Sequence, residues 1–361
     1  MPNAGVSAAD RAEAEGCLEV VSLIDEGQAR AQLVREAVEG LLRAPLRELP
    51  AKLLYDERGS QLYERITELA EYYPARAERE VLERRAAEIV ALADPAELVE
   101  LGAGSAAKTR ALLAAMNARG SLRRYVPLDV AIETLDRAGR ALCAEFPGLR
   151  VHALAADWEQ HLDALPDPFP GSPRLVAFLG GTIGNLKRAA RIRLLAHLRE
   201  TMRDCDRLLV GIDLVKDVSV IERAYNDAAG VTAEFNRNVL RHLNRLLDAD
   251  FDPDAFAHRA FYDCEKQWVE MRLRALRPVQ AKLGRADGRA LHLDPGEEIR
   301  TETSAKFSEP QFAAELAAAG LVLEASWRDS AELFTVVLAR PAGSTAASGR
   351  AARAARNKRG A

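Results

Sequence analysis

Four groups of residues in this chain carry chemistry suited to a nucleoside and a small polar ring. The first is Glu97-Leu-Val-Glu-Leu-Gly-Ala-Gly-Ser-Ala-Ala-Lys-Thr-Arg110. Gly102 and Gly104 predict a tight turn between a buried strand and a helix, where a missing Cβ lets a ligand approach the backbone. The N-terminus of that helix offers free N–H groups to polar or anionic ligand groups. Lys108 either reaches a ligand carboxylate from the turn or is simply exposed. The spacing Gly102-x-Gly104-x-x-Ala107 also fits a relaxed dinucleotide fingerprint, so the turn alone does not choose the nucleoside. The second group is Asp129, 27 residues after Gly102. A carboxylate there can accept hydrogen bonds from both ribose hydroxyls, as acids do in NAD enzymes. The third is Asp157-Trp158, where an acid can accept from an adenine amino group while the aromatic covers the base. A helix N-cap is the alternative for Asp157. The fourth is Glu302 and Ser304. Two apart in an extended segment, they point to one face. A carboxylate beside a hydroxyl suits a ring with two polar nitrogens; an exposed strand face is the alternative.

The elements that must position these residues are legible as an alternation. Strands are predicted over Leu98–Leu101, Arg124–Asp129, Leu149–Ala155, Leu175–Gly180 and Arg207–Asp213, with helices over Thr109–Met116, Ile132–Glu145 and Arg188–Met202. Such alternation implies a parallel sheet with helices on both faces, joined by right-handed crossovers. Ligands bind at the carboxyl ends of its strands, where Gly102, Asp129, Asp157 and Asn185 all fall. Before the sheet, Ala29–Leu42 and Glu78–Ala93 read as helices, and Glu71-Tyr-Tyr-Pro-Ala-Arg76 as an extended turn. Packing on the next helix is the simplest role for Tyr72 and Tyr73. After Asp213 the alternation stops. Val218–Ala229 reads as a helix ending at Gly230, and Thr232 as the N-cap of another. Extended segments follow at Gln267–Ala275 and Ile299–Phe307. Helix Glu309–Ala319 and strands Leu321–Asp329 and Glu332–Ala339 then resume the sheet, with an antiparallel strand expected to end it. Seven strands with Glu-x-Gly-x-Gly after the first resemble S-adenosylmethionine-dependent methyltransferases. The expected fold class is therefore α/β, a Rossmann-like class I methyltransferase sheet with an additional substrate-binding domain.

Composition narrows the function. The chain has 361 residues, an apolar content of 48% and a formal net charge of −4, so a sizeable core is expected and no overall attraction to nucleic acid. Residues 341–361 hold Arg350, Arg353, Arg356, Lys358 and Arg359 and no acid. A solvated, disordered tail is expected there, and a loose N-terminus over residues 1–16. Cys17, Cys143, Cys205 and Cys264 stand far apart without a C-x-x-C pair, and are read as reduced thiols of a cytoplasmic protein. The six histidines show no metal-ligand spacing, and no metal is expected. Neither a signal peptide nor an apolar run of about 20 residues is visible.

The motifs Tyr55-Asp56, Glu71-Tyr72-Tyr73-Pro74, Leu101-Gly-Ala-Gly104, Lys108-Thr109-Arg110, Pro127-Leu-Asp129, Phe178-Leu-Gly-Gly-Thr-Ile-Gly-Asn-Leu186, Asp213-Leu-Val-Lys-Asp217, Ala224-Tyr-Asn-Asp-Ala-Ala-Gly230, Glu234-Phe-Asn-Arg-Asn-Val239 and Thr301-Glu-Thr-Ser-Ala-Lys-Phe307 stand in order. Together, over roughly residues 30 to 340, they resemble the histidine-specific Nα-methyltransferases of ergothioneine biosynthesis. Most lie outside the generic methyltransferase core. The departures are the extra N-terminal segment, the basic tail, and Trp158 where phenylalanine is expected. The resemblance implies trimethylation of the α-amine of L-histidine to hercynine, with S-adenosyl-L-methionine as cofactor. It implies cofactor contacts at Gly102, Lys108, Asp129, Asp157 and Trp158, and substrate contacts at Tyr55, Tyr72, Asn185, Tyr225, Met271, Glu302 and Ser304. Asn185 and Tyr225 are expected to hold the amine and carboxylate, and Tyr72 to orient the amino-acid backbone. Glu302 and Ser304 are expected on the imidazole nitrogens, with Tyr55 and Met271 completing the pocket. Tyr72, Asn185 and Tyr225 are thus the catalytic candidates, acting by alignment; no general base is named. The implied organisation is a discontinuous substrate-binding domain (17–77 and 214–302), a cofactor-binding domain (78–213 and 303–340), and a monomer without nucleic-acid or membrane partners. The alternatives are another amine substrate, such as a tryptophan derivative, and a non-catalytic nucleoside sensor. An NAD oxidoreductase lacks a convincing proton donor. Nucleic-acid amine methylation lacks an Asn/Asp-Pro-Pro-Tyr motif, since Gly184-Asn185-Leu186 stands in its place.

Overall fold

The computed structural model describes residues 16–284 and 290–343. The expectations for residues 1–15 and for the tail from residue 344 lie outside the described residues. The strands in chain order are β1 (Leu18–Ser22), β2 (Arg47–Glu48), β3 (Glu97–Leu101), β4 (Arg124–Asp129), β5 (Arg150–Ala155), β6 (Arg174–Phe178), β7 (Arg207–Asp213), β8 (Phe256–Asp263), β9 (Trp268–Ala275), β10 (Val279–Lys282), β11 (Ala290–Leu293), β12 (Glu298–Ala305), β13 (Leu321–Arg328) and β14 (Phe334–Pro341). The helices are α1 (Glu26–Leu41), α2 (Glu57–Glu68), α3 (Tyr73–Ala93), α4 (Arg110–Ala118), α5 (Ile132–Glu145), α6 (Arg188–Thr201), α7 (Val218–Tyr225), α8 (Val231–Leu247) and α9 (Glu309–Ala318).

The large sheet has eight strands in the order β1-β5-β4-β3-β6-β7-β14-β13. Strands β3, β6 and β7 are buried along their whole length, as expected of parallel strands covered on both faces. One apolar layer joins α3, α4 and α5 to the sheet through Val81, Leu112 and Leu135. The opposite layer joins α6 and α9 through Leu195 and Phe312. The chain leaves β3 in one direction for β4 and β5, and returns on the other side of β3 for β6 and β7. The crevice between the ends of β3 and β6 is therefore the topological switch point, where such sheets bind ligands.

Two features of this sheet differ from the expectation of seven strands. Strand β1 adds an eighth, parallel to β5, so residues 18–22 lie on the large sheet rather than in the substrate-binding part. The antiparallel strand β14 sits between β7 and β13, so it is last in the chain but not at the sheet edge. Strand β1 also overturns the expectation of four reduced thiols. It runs beside β5 and under α5, close enough that a Cβ on Gly139 would meet the Leu18 side chain. This brings Cys17 next to Cys143, and the two form a disulfide across 126 residues. Only Cys205 and Cys264 are free thiols.

A second layer is built from α1, α2 and α8 and a sheet in the order β2-β12-β9-β8. Its core contains Leu41, Leu54, Leu62, Phe235, Leu243, Met271 and Ile299. Helix α8 does not start at Thr232. Gly230, at φ +70°, is its N-cap, and the Asp227 carboxylate accepts from the N–H groups of Val231 and Thr232 at 2.8 Å each. The carboxylate takes over the role expected of the Thr232 hydroxyl.

Candidate active site

The site begins with a bulge. Strand β12 pairs antiparallel with β9, but the register shifts between Arg300 and Glu302, so Glu302 rather than Thr301 stands opposite Met271. Opposed residues share a face, and one extra residue turns the following side chains over. Glu302 and Ser304 therefore face the same side as Met271. Without the bulge that face would carry Thr301 and Thr303.

The second wall comes from the loop after β6. A single 3₁₀ turn, Thr182–Asn185, follows Gly180 and Gly181, both at positive φ. A Cβ on Gly184 would stand 3.0 Å from the Ala305 carbonyl oxygen. Glycine there lets the loop lie against β12, and the Asn185 amide donates to Glu302 Oε1 at 3.2 Å. Tyr55, at the end of a 3₁₀ turn, reaches the same oxygen at 3.5 Å. Tyr72 precedes α3 and Tyr225 ends α7, their rings edge-to-face at 6.2 Å. Tyr63 from α2 contacts both Tyr55 and Tyr72, with ring centroids 5.5 Å and 6.2 Å away.

All seven residues expected to contact substrate, Tyr55, Tyr72, Asn185, Tyr225, Met271, Glu302 and Ser304, line one cavity of about 600 Å³, part of it open to solvent. Gly180, Gly181 and Thr182 also line it, so it opens toward the switch point. The residues expected on the ring and those expected on the amine and carboxylate are hydrogen-bonded to one another. Asn185 touches Glu302, and the Tyr225 hydroxyl lies 3.0 Å from Ser304 Oγ. Four further residues belong here that the sequence reading left without a role: Tyr63, Lys306, Asp213 and Phe235. Lys306 donates to Asp213 Oδ2 at 2.8 Å and to Tyr225 and Ser304 at 2.9 Å each. Its position carried a usable signal, since 302, 304 and 306 share the period of two. Tyr63 carried none.

Charge in this cavity is held by burial and pairing. Burial pushes the Glu302 carboxyl up to about 7, opposed by the Lys306 ammonium and by the hydrogen bonds from Tyr55 and Asn185. Burial acts the same way on Asp213, but Lys306 and Lys216 together hold it below the usual carboxylate range. Glu302 accepts through Oε1 only; among the described residues Oε2 has no donor.

The cofactor candidates surround the switch point. Gly102 and Gly104 have φ of +68° and +51°, and a Cβ on either would meet no atom within 4 Å, so bare backbone faces open space. Asp129, the last residue of β4, accepts from the Gly104 N–H at 2.9 Å and the Ala131 N–H at 3.0 Å. A carboxylate has about four acceptor positions, which leaves Asp129 room for two hydroxyl donors. Asp157 caps its own turn, accepting from the Glu159 N–H at 2.9 Å and the Gln160 amide at 2.8 Å, and a short 3₁₀ turn, Leu162–Ala164, follows it. The Trp158 ring lies 5.1 Å from that of Phe178. The Lys108 ammonium is bonded to Glu78, whose carboxylate also accepts from the Gly180 N–H. This pair, its carboxylate buried and its ammonium partly exposed, ties the turn after β3 to the loop after β6. The open glycine turn, the acid at the end of the next strand and an adjoining polar cavity fit a bound nucleoside carrying a reactive group.

A parallel sheet of this order, ended by an antiparallel hairpin and carrying these groups at its switch point, defines a class I S-adenosylmethionine-dependent methyltransferase. The chain belongs to the family of histidine-specific, S-adenosylmethionine-dependent methyltransferases, whose model matches residues 33–341. It is 45% identical over 320 residues to the histidine N-alpha-methyltransferase of Mycobacterium tuberculosis, covering 89% of this chain and 98% of that protein. The histidine N-alpha-methyltransferase of Mycolicibacterium smegmatis is 45% identical over 324 residues, 89% of this chain and 99% of that protein. The ergothioneine biosynthesis protein 1 of Neurospora crassa is 32% identical over 232 residues, 60% of this chain and 26% of that longer protein.

Proposed function

We propose that this enzyme transfers three methyl groups in succession from S-adenosyl-L-methionine to the α-amine of L-histidine, giving hercynine for ergothioneine biosynthesis. The observation that carries the substrate assignment is the uncommitted Oε2 of Glu302 beside the Ser304 hydroxyl, in a cavity open to the switch point. An indole offers one donor and no acceptor to such a pair; an imidazole offers both.

Bound S-adenosylmethionine supplies a methyl group on a sulfonium, which a neutral amine can attack. The backbone at Gly102 and Gly104, the Asp129 carboxylate and the Asp157-Trp158 pair are the residues that would hold its nucleoside. Lys108 would face its carboxylate while keeping its bond to Glu78. On the substrate side, Glu302 accepts from an imidazole N–H. The Asn185 side-chain oxygen has no donor among the described residues, so it can accept from the amine N–H and turn the lone pair outward. Tyr72 orients the carboxylate end beside the Tyr225 ring, whose hydroxyl is given to Ser304, and Tyr55 and Met271 bound the imidazole. Alignment of this kind supplies up to about 7–11 kcal/mol of a barrier. The faces of Tyr55, Tyr72 and Tyr225 favour the cationic ammonium as it forms.

The same reading takes the enzyme as a cytoplasmic monomer acting on a small molecule, with no nucleic-acid or membrane partner; light scattering at assay concentration tests the monomer. Among the described residues no helix is long and apolar enough to cross a membrane. Transfer of labelled methyl from S-adenosylmethionine to L-histidine, L-tryptophan and histamine tests the substrate. Label on histidine alone is expected, since tryptophan lacks the second ring nitrogen and histamine the carboxylate. Equal labelling of tryptophan overturns the assignment.

A further inference from the structure

Lys306 is 3% exposed and lies beneath the two residues that would read the substrate ring. An ammonium has three donors and no acceptor. Its three hydrogen-bonding neighbours are Asp213 Oδ2 at 2.8 Å, Tyr225 OH at 2.9 Å and Ser304 Oγ at 2.9 Å. With all three protons committed, Lys306 has none left for a substrate. The same count fixes its neighbours. Ser304 Oγ accepts from Lys306, and also from the Tyr225 hydroxyl at 3.0 Å. A hydroxyl oxygen has two acceptor positions, and both are filled. The one hydrogen bond Ser304 can still make is as a donor, and the cavity is the space it borders. Two residues earlier on the same face, Glu302 Oε2 is an acceptor with no donor among the described residues.

We propose that Lys306, anchored by Asp213, is a positioning residue that fixes Ser304 as a hydrogen-bond donor and so sets the enzyme's specificity for a neutral imidazole. The inference rests on the histidine reading above. The cavity then presents one fixed acceptor and one fixed donor. A neutral imidazole matches both, with one ring N–H and one bare ring nitrogen. A ring with an N–H but no bare nitrogen leaves the Ser304 proton unpaired. A ring with a bare nitrogen but no N–H leaves Glu302 unpaired. Without Lys306, the Ser304 oxygen regains an acceptor position and its proton can rotate away, so the donor end stops discriminating while the Glu302 end is untouched.

The test compares kcat/KM for L-histidine with two analogues. Pyrrolylalanine keeps the ring N–H and replaces the bare nitrogen by C–H; thiazolylalanine keeps the bare nitrogen and replaces the N–H by sulfur. A buried donor left unpaired costs about 1–3 kcal/mol, so the natural enzyme is expected to prefer histidine over pyrrolylalanine by roughly 5–150-fold. In Lys306→Met most of that preference is lost, while the preference over thiazolylalanine stays within about threefold. Asp213 keeps Lys216 as a partner in this variant, which leaves its charge compensated. Lys306→Gln, whose amide both donates and accepts, is expected to behave alike and serves where the methionine variant does not fold. Ser304→Ala should lose the same preference, and adding Lys306→Met to it should change the ratio no further. A uniform fall for all three substrates makes Lys306 merely structural and overturns the inference. So does an additive effect of the two substitutions, or no preference over pyrrolylalanine in the natural enzyme. Failure of the natural enzyme to methylate histidine at all overturns the functional reading and the inference with it.

Discussion

Replacing Glu302 tests the substrate assignment at its strongest contact. The carboxylate is 8% exposed and gives only Oε1 to the protein, to Asn185 at 3.2 Å and Tyr55 at 3.5 Å. A hydrogen bond to a charged acceptor contributes about 1.5–3 kcal/mol. A neutral acceptor is roughly half as strong, so Glu302→Gln, which keeps the shape and an acceptor, should lose about 0.75–1.5 kcal/mol. That corresponds to a fall in kcat/KM for histidine of roughly 3–13-fold, since about 1.4 kcal/mol is tenfold. Glu302→Ala removes the acceptor and leaves the Asn185 amide without its partner, so roughly 10–150-fold is expected. The assay is the initial rate of methyl transfer at histidine concentrations below KM, with saturating S-adenosylmethionine. Calorimetric binding of S-adenosylhomocysteine serves as a control that the cofactor side is intact. An unchanged kcat/KM in both variants, with that control satisfied, would refute the reasoning.

Asp129→Ala removes an acceptor for two hydroxyls and frees the Gly104 and Ala131 N–H groups. Calorimetry should show S-adenosylmethionine binding weakened by at least roughly tenfold, at about 1.5–3 kcal/mol per bond to a charged acceptor; an unchanged Kd rejects the assignment. The pH profile follows from the Glu302 carboxyl, raised from 4.5 to about 7 by burial. An imidazole N–H needs the ionised form, so kcat/KM for histidine should rise as pH passes from 6 to 8, about a unit either side of that value. In Glu302→Gln this part of the limb should vanish, leaving only the ionisation of the substrate. Linkage has the opposite sign for stability: the folded state holds this proton more tightly, so the stabilisation is full below 4.5 and lost as pH rises through 7. A steeper loss in Glu302→Gln than in the natural protein contradicts it. Thiol titration of the denatured, unreduced protein should find the two thiols of Cys205 and Cys264, because Cys17 and Cys143 are joined. Closing so long a loop typically contributes about 2–4 kcal/mol, so Cys143→Ser should lower the melting temperature; four free thiols and no shift reject the bond.

The alternation from β3 to β7 was legible because these strands are short runs with apolar centres bounded by turns, and β3, β4 and β6 are each followed by a helical period. The placement of Gly102, Asp129 and Asn185 at or just after the carboxyl ends of these strands was legible for the same reason. Strand β1 was not, because five residues after a polar segment acquire strand character only by pairing with β5, over a hundred residues away. The Cys17–Cys143 bond depends on that pairing and was hidden with it. The bulge at Arg300 was equally invisible, although it is what turns Glu302 toward Met271. Gly230 capped α8 where Thr232 was expected, because the Asp227 carboxylate supplied the bonds. Lys306 and Asp213 stood within quoted motifs, yet only the packing shows that they share one hydrogen-bond network with Ser304 and Tyr225.

The most direct test of the account is the structure of the product made from L-histidine and S-adenosylmethionine by the purified protein, by mass spectrometry with fragmentation. One, two and then three added methyl groups are expected, all on the α-nitrogen, with the imidazole unmodified. Methyl groups on the imidazole ring would mean that the ring, not the amine, faces the switch point, and would contradict the assignment of Glu302 and Ser304 as its anchors.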